Sequence, residues 1–384
     1  MLMRPVKISF IQKFGFSTVV LMMGFALVYS AEHRPKGMIL IPGGTFEMGG
    51  DPGLMDGGSQ SHGTSYPIHK VTVDPFWMDE TEVTNAQFAE FVEATNYVTF
   101  AEKPLPKEQV QELKRIAEMQ MKQLDRMRQR ADPKEREKIL ETMGRIQTAL
   151  QASEGAAGAI IFCSPEEEIS SPFDYTQWWR IQPGATWRSP EGPGSTWIGR
   201  EDHPVVNVTR DDAVAYAEWA GKRLPTEAEW ERAARGGLDR QPYTWGDTFA
   251  PEGKAVWMAN IWQGAWPYEN SGEDGFVTTA PVRSFPPNPY GLYDISGNVW
   301  EITGDLYDPS TYAKRLGRSV INPTGPSPVE VQGRQRVPTF VIRGGSFLCS
   351  DSWCRGYQPG SRQSLEADSP ANHTGFRCVK DVVD

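Results

Sequence analysis

The sequence predicts a loop-rich α+β domain of irregular build, with little regular secondary structure and one inserted α-helical hairpin. Three observations predict it. Composition is the first: 37 Gly and 30 Pro beside 13 Trp in 384 residues supply many turns and many large rings to pin the loops between them. The second is texture, because short β runs broken by turn residues alternate with isolated amphipathic helices, a pattern foreign to repetitive helical or doubly wound folds. The third is the segment 104–154, which holds no aromatic residue and dense mixed charge.

Residues 1–31 have the order of a secretory signal peptide. Arg4, Lys7 and Lys13 flank the start of an apolar run from Phe14 to Val28, and Tyr29-Ser30-Ala31 offers a small-residue exit. The run is about 15 residues long, against the ~20 that span a bilayer, so cleavage and export are expected, to a periplasm, the exterior or a secretory lumen. No later run reaches spanning length, so no membrane span is expected after cleavage. The remaining domain is placed at 38–382.

In that domain Ile39-Leu40-Ile41, the turn Pro42-Gly43-Gly44 and Thr45-Phe46-Glu47-Met48 read as strand, turn and strand. A helix is expected from Thr84 to Ala94, with Thr84 as cap and Phe88, Phe91 and Val92 on one face. Another runs from about Arg210 to Ala220, burying Ala213, Val214, Ala217 and Ala220. A third opens after Pro225, where Thr226 and Glu229 form a capping box. The insertion reads as an antiparallel hairpin. Val110, Leu113, Ala117, Met121 and Leu124 mark its first helix; Ile139, Met143, Ile146 and Leu150, spaced 4, 3, 4, mark the second, and Asp132-Pro133 parts them. Such an arm either packs on itself or the body, or binds a partner whose nature is unknown.

Charge and motif absences narrow the function. With 39 Lys plus Arg against 49 Asp plus Glu, the net charge of -10 argues against nucleic acid and against an anionic bilayer surface. The five histidines include no pair at helical metal-ligand spacing. No phosphate loop, dinucleotide fingerprint or nucleophile elbow appears. The four cysteines are Cys163, Cys349, Cys354 and Cys378. Cys349 and Cys354 lie five apart in the loop Gly344-Gly345-Ser346-Phe347-Leu348-Cys349-Ser350-Asp351-Ser352-Trp353-Cys354-Arg355. In an exported protein they form either a local disulfide or a soft two-thiolate site suited to Cu(I), with Arg355 favouring the thiolate. Spacing leaves both open.

This loop, with Gly375-Phe376-Arg377-Cys378 downstream, resembles formylglycine-generating enzyme, the sulfatase-modifying factor family. The resemblance extends through Ile41-Pro42-Gly43-Gly44-Thr45-Phe46-Glu47-Met48-Gly49, Glu80-Thr81-Glu82-Val83-Thr84-Asn85, Leu224-Pro225-Thr226-Glu227-Ala228-Glu229-Trp230-Glu231, Ala259-Asn260-Ile261-Trp262-Gln263-Gly264, Gly272-Glu273-Asp274-Gly275-Phe276 and Gly297-Asn298-Val299-Trp300-Glu301. Several of these belong to a wider superfamily and identify only the fold. The cysteine pair after Gly-Gly-Ser identifies the catalytic branch.

The resemblance implies the family fold, an elaborated C-type-lectin-like domain. It implies an oxidase that uses O2 and Cu(I), held by Cys349 and Cys354, to turn a cysteine in the Cys-x-Pro-x-Arg segment of an unfolded sulfatase into Cα-formylglycine. Ser346 matches a serine at the oxygen or water position, and is otherwise a turn hydroxyl. Trp353 and His373 stand where the family has Tyr and Asn and are placed in the substrate groove. Arg362 matches an arginine near the active site, either touching substrate or held in a structural ion pair. Structural Ca2+ is implied at two sites: Asn260, the carbonyl of Ile261, Asp274 and the carbonyl of Phe276; and Asp294, Gly297, Val299 and Glu301. Ala217, Ala234 and Pro359 replace family cysteines, leaving Cys378 either buried and free or paired with Cys163. Two rival readings are a non-catalytic lectin-like assembly protein and a related oxygen-using enzyme acting on another thiol.

Overall fold

The computed structural model describes residues 34–51, 64–104, 107–152, 158–169, 171, 174–251, 257–331 and 337–382. The expected signal at 1–31 lies outside them. The architecture is a mixed α+β body of short strands joined by long loops, as the composition implies. The strands are β1 (Met38–Ile41), β2 (Gly44–Met48), β3 (His69–Val73), β4 (Phe76–Asp79), β5 (Ala159–Phe162), β6 (Trp179–Gln182), β7 (Trp300–Leu306), β8 (Val320–Ile321), β9 (Thr339–Arg343), β10 (Gln363–Glu366), β11 (Thr374–Gly375) and β12 (Val379–Asp381). They pair as β1-β4-β12, β2-β3-β8, β10-β9-β7-β11 and β5-β6.

The helices start where the capping chemistry directs. In α1 (Asn85–Thr95) Thr84 Oγ1 accepts from Gln87 N while Gln87 Oε1 accepts from Thr84 N at 2.9 Å, and Asn96 ends it at φ 55°. The insertion forms α2 (Lys107–Arg128) and α3 (Pro133–Ala152), which pack against each other. Asp132 Oδ1 accepts from Glu135 N at 3.0 Å, so the Asp-Pro pair both turns the chain and opens α3. The arm is pinched at its base, where Gly158 N donates to Ala101 O at 3.1 Å. Ala117 is buried, Ile139, Met143 and Ile146 are half-buried, and Met119, Met127 and Leu140 are exposed. The side chains of Leu113 and Leu150 lie outside the description. Two further helices, α4 (Arg210–Trp219) and α5 (Glu227–Arg235), carry capping boxes from Thr209 with Asp212 and from Thr226 with Glu229.

The main core lies under α1 and α4, where Phe88 meets Trp187 edge-on with centroids 5.4 Å apart and Tyr216, Trp300 and Phe376 close round it. A second core packs α5, through Trp230 and Ala233, on Phe46, Val71 and Phe76 of the small sheets. Cys378 is buried and free and Cys163 half-buried and free, so the bridge between them is not formed. No helix among the described residues is long and apolar enough to cross a membrane.

Candidate active site

The loop after β9 is shaped by three local facts. Arg343, the last residue of that strand, is anchored to Glu227 at 2.8 Å and Glu231 at 2.6 Å. Gly345 then takes φ 72°, and a Cβ there would stand 2.5 Å from Tyr357 N, so only glycine lets the two limbs of the loop approach. Backbone bonds fix the residues beyond it: Phe347 N donates to Asn298 O, Cys349 N to Ser346 O and Trp262 N to Cys349 O, each at 2.9 Å. A turn closed by Ser350 N to Trp353 O at 2.8 Å brings the chain back. Cys354 consequently sits at φ 85°, a conformation that costs a non-glycine residue. The result sets the Cα atoms of Cys349 and Cys354 5.1 Å apart with their sulfurs in disulfide contact.

Cys349 and Cys354 line a cleft of about 650 Å3 whose walls are rich in aromatic side chains. The indoles of Trp266 and Trp353 stack with centroids 4.3 Å apart and 15° between planes, and Trp178 stands edge-on to both. The paired strands β5 and β6 add Phe162 and Trp179 to the lining. They are held there by Ile160 N to Pro370 O at 2.8 Å and Asn372 N to Ile160 O at 3.1 Å. His373 lies against Trp179 with centroids 4.7 Å apart, and burial pushes its imidazole down to about 3, so the ring is neutral. The indole N–H groups of Trp178 and Trp266 and the Nδ1 of His373 are buried without a hydrogen-bond partner among the described residues. Ser346 is buried and accepts from Leu348 N at 3.3 Å, which leaves its O–H proton to donate. Gln363 Nε2 approaches Cys354 Sγ at 3.7 Å.

Arg362 was open to substrate contact or to a structural ion pair. Arg362 is 1% exposed and its guanidinium is closed by Glu227 at 2.6 and 3.1 Å and by the rings of Tyr307 and Tyr312. The structural ion pair, not substrate contact, is the arrangement found. Once reduced, the two expected copper ligands would be adjacent thiolates of a kind suited to a soft monovalent ion.

The calcium sets divide differently from the expectation. At the first, Gln263 Nε2 contacts both Ile261 O and, at 2.8 Å, Asp274 Oδ2, so these two oxygens already converge on one donor, while Asn260 Oδ1 is buried and unpartnered. At the second, Gly297 at φ 79° passes so close to Asn260 O that a Cβ would collide, and Asn298 N donates to that same oxygen at 2.8 Å. Asp294 Oδ1 is unpartnered. Glu301, however, is engaged by Arg377 at both oxygens, each at 2.7 Å, and by Trp230 Nε1 at 2.7 Å. A second unpartnered carboxylate oxygen among the described residues belongs to Glu82, whose other oxygen accepts from Asn298 Nδ2 at 3.2 Å. Burial, then the charges of Asp294 and Glu301, push the Glu82 carboxyl well above its usual range.

Sequence reading missed Glu82, Gln363, Trp178 and Trp266. The tryptophan excess signalled aromatic walls without saying where they stand. Glu82 lay inside a quoted motif, and Gln363 carried no signal.

The chain matches the sulfatase-modifying factor enzyme 1-like domain family over residues 24–382. It is 40% identical over 353 residues to the formylglycine-generating enzyme of Thermomonospora curvata, covering 92% of this chain and 96% of that one. It is also 33% identical to the inactive Cα-formylglycine-generating enzyme 2 of Mus musculus, over 89% of this chain and 85% of that protein. Among solved structures, PvdO from Pseudomonas aeruginosa aligns at 20% identity with a TM-score of 0.53, covering 90% of this chain and 94% of that one, a likeness of fold.

Proposed function

The chain belongs to the sulfatase-modifying factor enzyme 1-like family, and we propose that it converts a cysteine in the Cys-x-Pro-x-Arg segment of an unfolded sulfatase into Cα-formylglycine, using O2 and Cu(I). The observation that carries this reading is the convergence of Cys349 and Cys354 on an aromatic-rich cleft of about 650 Å3. Family membership alone does not carry it, because an inactive relative shares the fold.

Cu(I), when held by the two sulfurs, supplies the redox chemistry that couples O2 to oxidation of the substrate cysteine. The protein's residues do the rest. The stacked indoles of Trp266 and Trp353 offer a flat apolar face to the proline two residues beyond the target cysteine. Ser346 lines the cleft with a hydroxyl whose oxygen accepts from Leu348 N, and its remaining proton would serve to orient oxygen or water. The aromatic walls exclude bulk water while the substrate's β-carbon is oxidised. Ca2+ at the two loop sites stiffens the walls without entering the chemistry. Export by the N-terminal signal would place this chemistry in an oxidising compartment, so the pair needs a reductant before it takes Cu(I).

A second reading is favoured by the sulfur contact itself: a non-catalytic protein in which Cys349–Cys354 is a structural disulfide. One experiment separates them. The reduced protein is loaded with Cu(I), given a Cys-Thr-Pro-Ser-Arg peptide under O2, and the peptide is weighed by mass spectrometry. Conversion of cysteine to aldehyde, lost in Cys349→Ser and Cys354→Ser, is the expected result. Unchanged peptide from a correctly metallated protein would sink the first reading. A disulfide that survives mild reduction, with no Cu(I) uptake, would establish the second.

A further inference from the structure

Strands β5 and β6 form a two-stranded ribbon, and the outer edge of β6 pairs with no other strand among the described residues. Ala159 lies opposite Gln182, Ile160 opposite Ile181, Ile161 opposite Arg180 and Phe162 opposite Trp179, and just beyond them Cys163 N donates to Trp178 O at 2.9 Å. Bonded and non-bonded pairs alternate in an antiparallel ladder, so Arg180 and Gln182 bond to β5 while Trp179 and Ile181 turn their N–H and C=O groups away from it. The partner strand obeys the same alternation: Ile160, opposite Ile181, uses its own N–H and C=O on Pro370 O and Asn372 N. The outward groups of Trp179 and Ile181 have no backbone partner among the described residues.

This open edge starts inside the cleft. Trp179 lines it beside Cys349 and Cys354, as do Phe162 and Ile160 on β5. Ile181 stands on the same face as Trp179, two residues on, and is 61% exposed. The apolar lining therefore continues along the edge to a β-branched residue left in solvent. Edge strands normally carry a charge, a proline or a bulge that blocks further pairing. Here the one charge, Arg180, lies on the opposite face, where its Nε donates to Cys163 Sγ at 2.6 Å.

We propose that β6 is a docking rail for the substrate chain flanking the target cysteine, which adds to it as a further strand through the backbone of Trp179 and Ile181. The proposal rests on the reading of the cleft as the site for an unfolded sulfatase: an edge that runs out of such a cleft fits an extended, unfolded segment. Strand addition takes its affinity from main-chain hydrogen bonds, with Ile181 adding one apolar contact, so the rail accepts varied sequences outside the motif.

Fluorescence anisotropy on the purified full chain tests this without turnover. The probes are labelled Ser-Thr-Pro-Ser-Arg, with serine in place of the target cysteine, and the same peptide flanked on both sides by alternating Thr and Val. The flanked peptide should bind roughly tenfold more tightly, the contribution of two backbone hydrogen bonds. Ile181→Pro removes an N–H that β5 does not use, and should abolish that gain while leaving the short peptide's affinity unchanged. Ile181→Thr keeps the N–H and should retain most of the gain. On the wild type, N-methylation of one alternate set of flanking residues should abolish the gain and methylation of the other set should spare it, because only every second residue faces the edge. No gain from the flanks, a gain that survives Ile181→Pro in a protein of unchanged circular dichroism, or equal effects of the two methylated sets would overturn the rail while leaving the cleft's reading intact. Failure of both peptides to bind, together with no conversion in the Cu(I) assay, would overturn both. The methylation comparison stands whether or not the proline variant folds.

Discussion

Both carboxylate oxygens of Glu227 are taken by the guanidinium of Arg362, Oε1 from Nε at 2.6 Å and Oε2 from Nη2 at 3.1 Å, with neither residue more than 1% exposed. Arg343 Nη1 adds a third contact at 2.8 Å. Burial alone would raise the Glu227 carboxyl, but the charges of Arg362 and Arg343 outweigh it and hold the group at about 2. The cluster ties the start of α5 to the strand that leads into the cysteine loop, so it positions the site from behind rather than touching substrate.

Arg362→Met should therefore cost stability and spare recognition. Removing one partner of a buried pair costs about 3–5 kcal/mol, and here Arg343 still shields Glu227, so the lower end is expected in urea unfolding. Peptide KM of the folded variant should stay within about twofold of the wild type. A tenfold rise in KM at unchanged stability would return Arg362 to the substrate groove.

Trp353→Ala should show the opposite split. Losing that ring removes part of the stacked face proposed to receive the substrate proline, an apolar contact of about 1 kcal/mol at ~25 cal/mol per Å2 over roughly 50 Å2. Steady-state kinetics should register this as a rise in peptide KM approaching tenfold, while Trp353→Tyr stays close to the wild type. An unchanged KM in Trp353→Ala would remove the stacked pair from substrate binding.

Much of this was legible in the residues, and the rest was hidden for a physical reason. The Thr84 cap and the Thr226 capping box are local signals, set within three residues of their partners, and appear where the sequence puts them. The aromatic cleft was not, because Trp178, Trp266 and Trp353 are far apart in sequence and only loop closure stacks them. Arg362 was open to two readings because an arginine's sequence neighbours say nothing of a glutamate 135 residues away. Glu301 was assigned by motif to a metal, whereas its oxygens face Arg377 and Trp230, and Glu82 was overlooked because its unpartnered oxygen exists only in three dimensions.

Calcium dependence should separate Glu82 from Glu301. If the unpartnered oxygens of Glu82 and Asp294 hold the cation, Ca2+ raises the thermal midpoint and EGTA lowers it, with a stabilisation of about 2.7 kcal/mol at a hundredfold excess over Kd. Glu82→Gln and Asp294→Asn should each blunt that Ca2+-dependent shift while folding normally. Glu301→Gln should instead lower the midpoint whether or not Ca2+ is present, because it strips Arg377 of its buried partner. An undiminished Ca2+ shift in Glu82→Gln would show that the cation does not use that oxygen.

Asp305 supplies a pH signature that needs no metal. Its buried carboxylate accepts from Glu227 N at 3.0 Å, and burial, reinforced by the charge of Glu227, raises it from 3.8 to about 6. A carboxyl whose folded value lies above its unfolded one adds stability that is fully present below the unfolded value and is lost as pH rises through the folded one. Its contribution therefore fades from about pH 4 to pH 6, by roughly 3 kcal/mol for a shift of this size. Glu227 works in the other direction but lower down, losing its stabilisation only as pH falls from about 4.5 toward 2. Between about pH 4.5 and 6.5 the wild type should lose stability relative to Asp305→Asn, a variant that keeps an acceptor for Glu227 N and cannot ionise. Urea unfolding of both proteins across that window measures the difference directly. Parallel curves would show that Asp305 is already ionised in the folded protein.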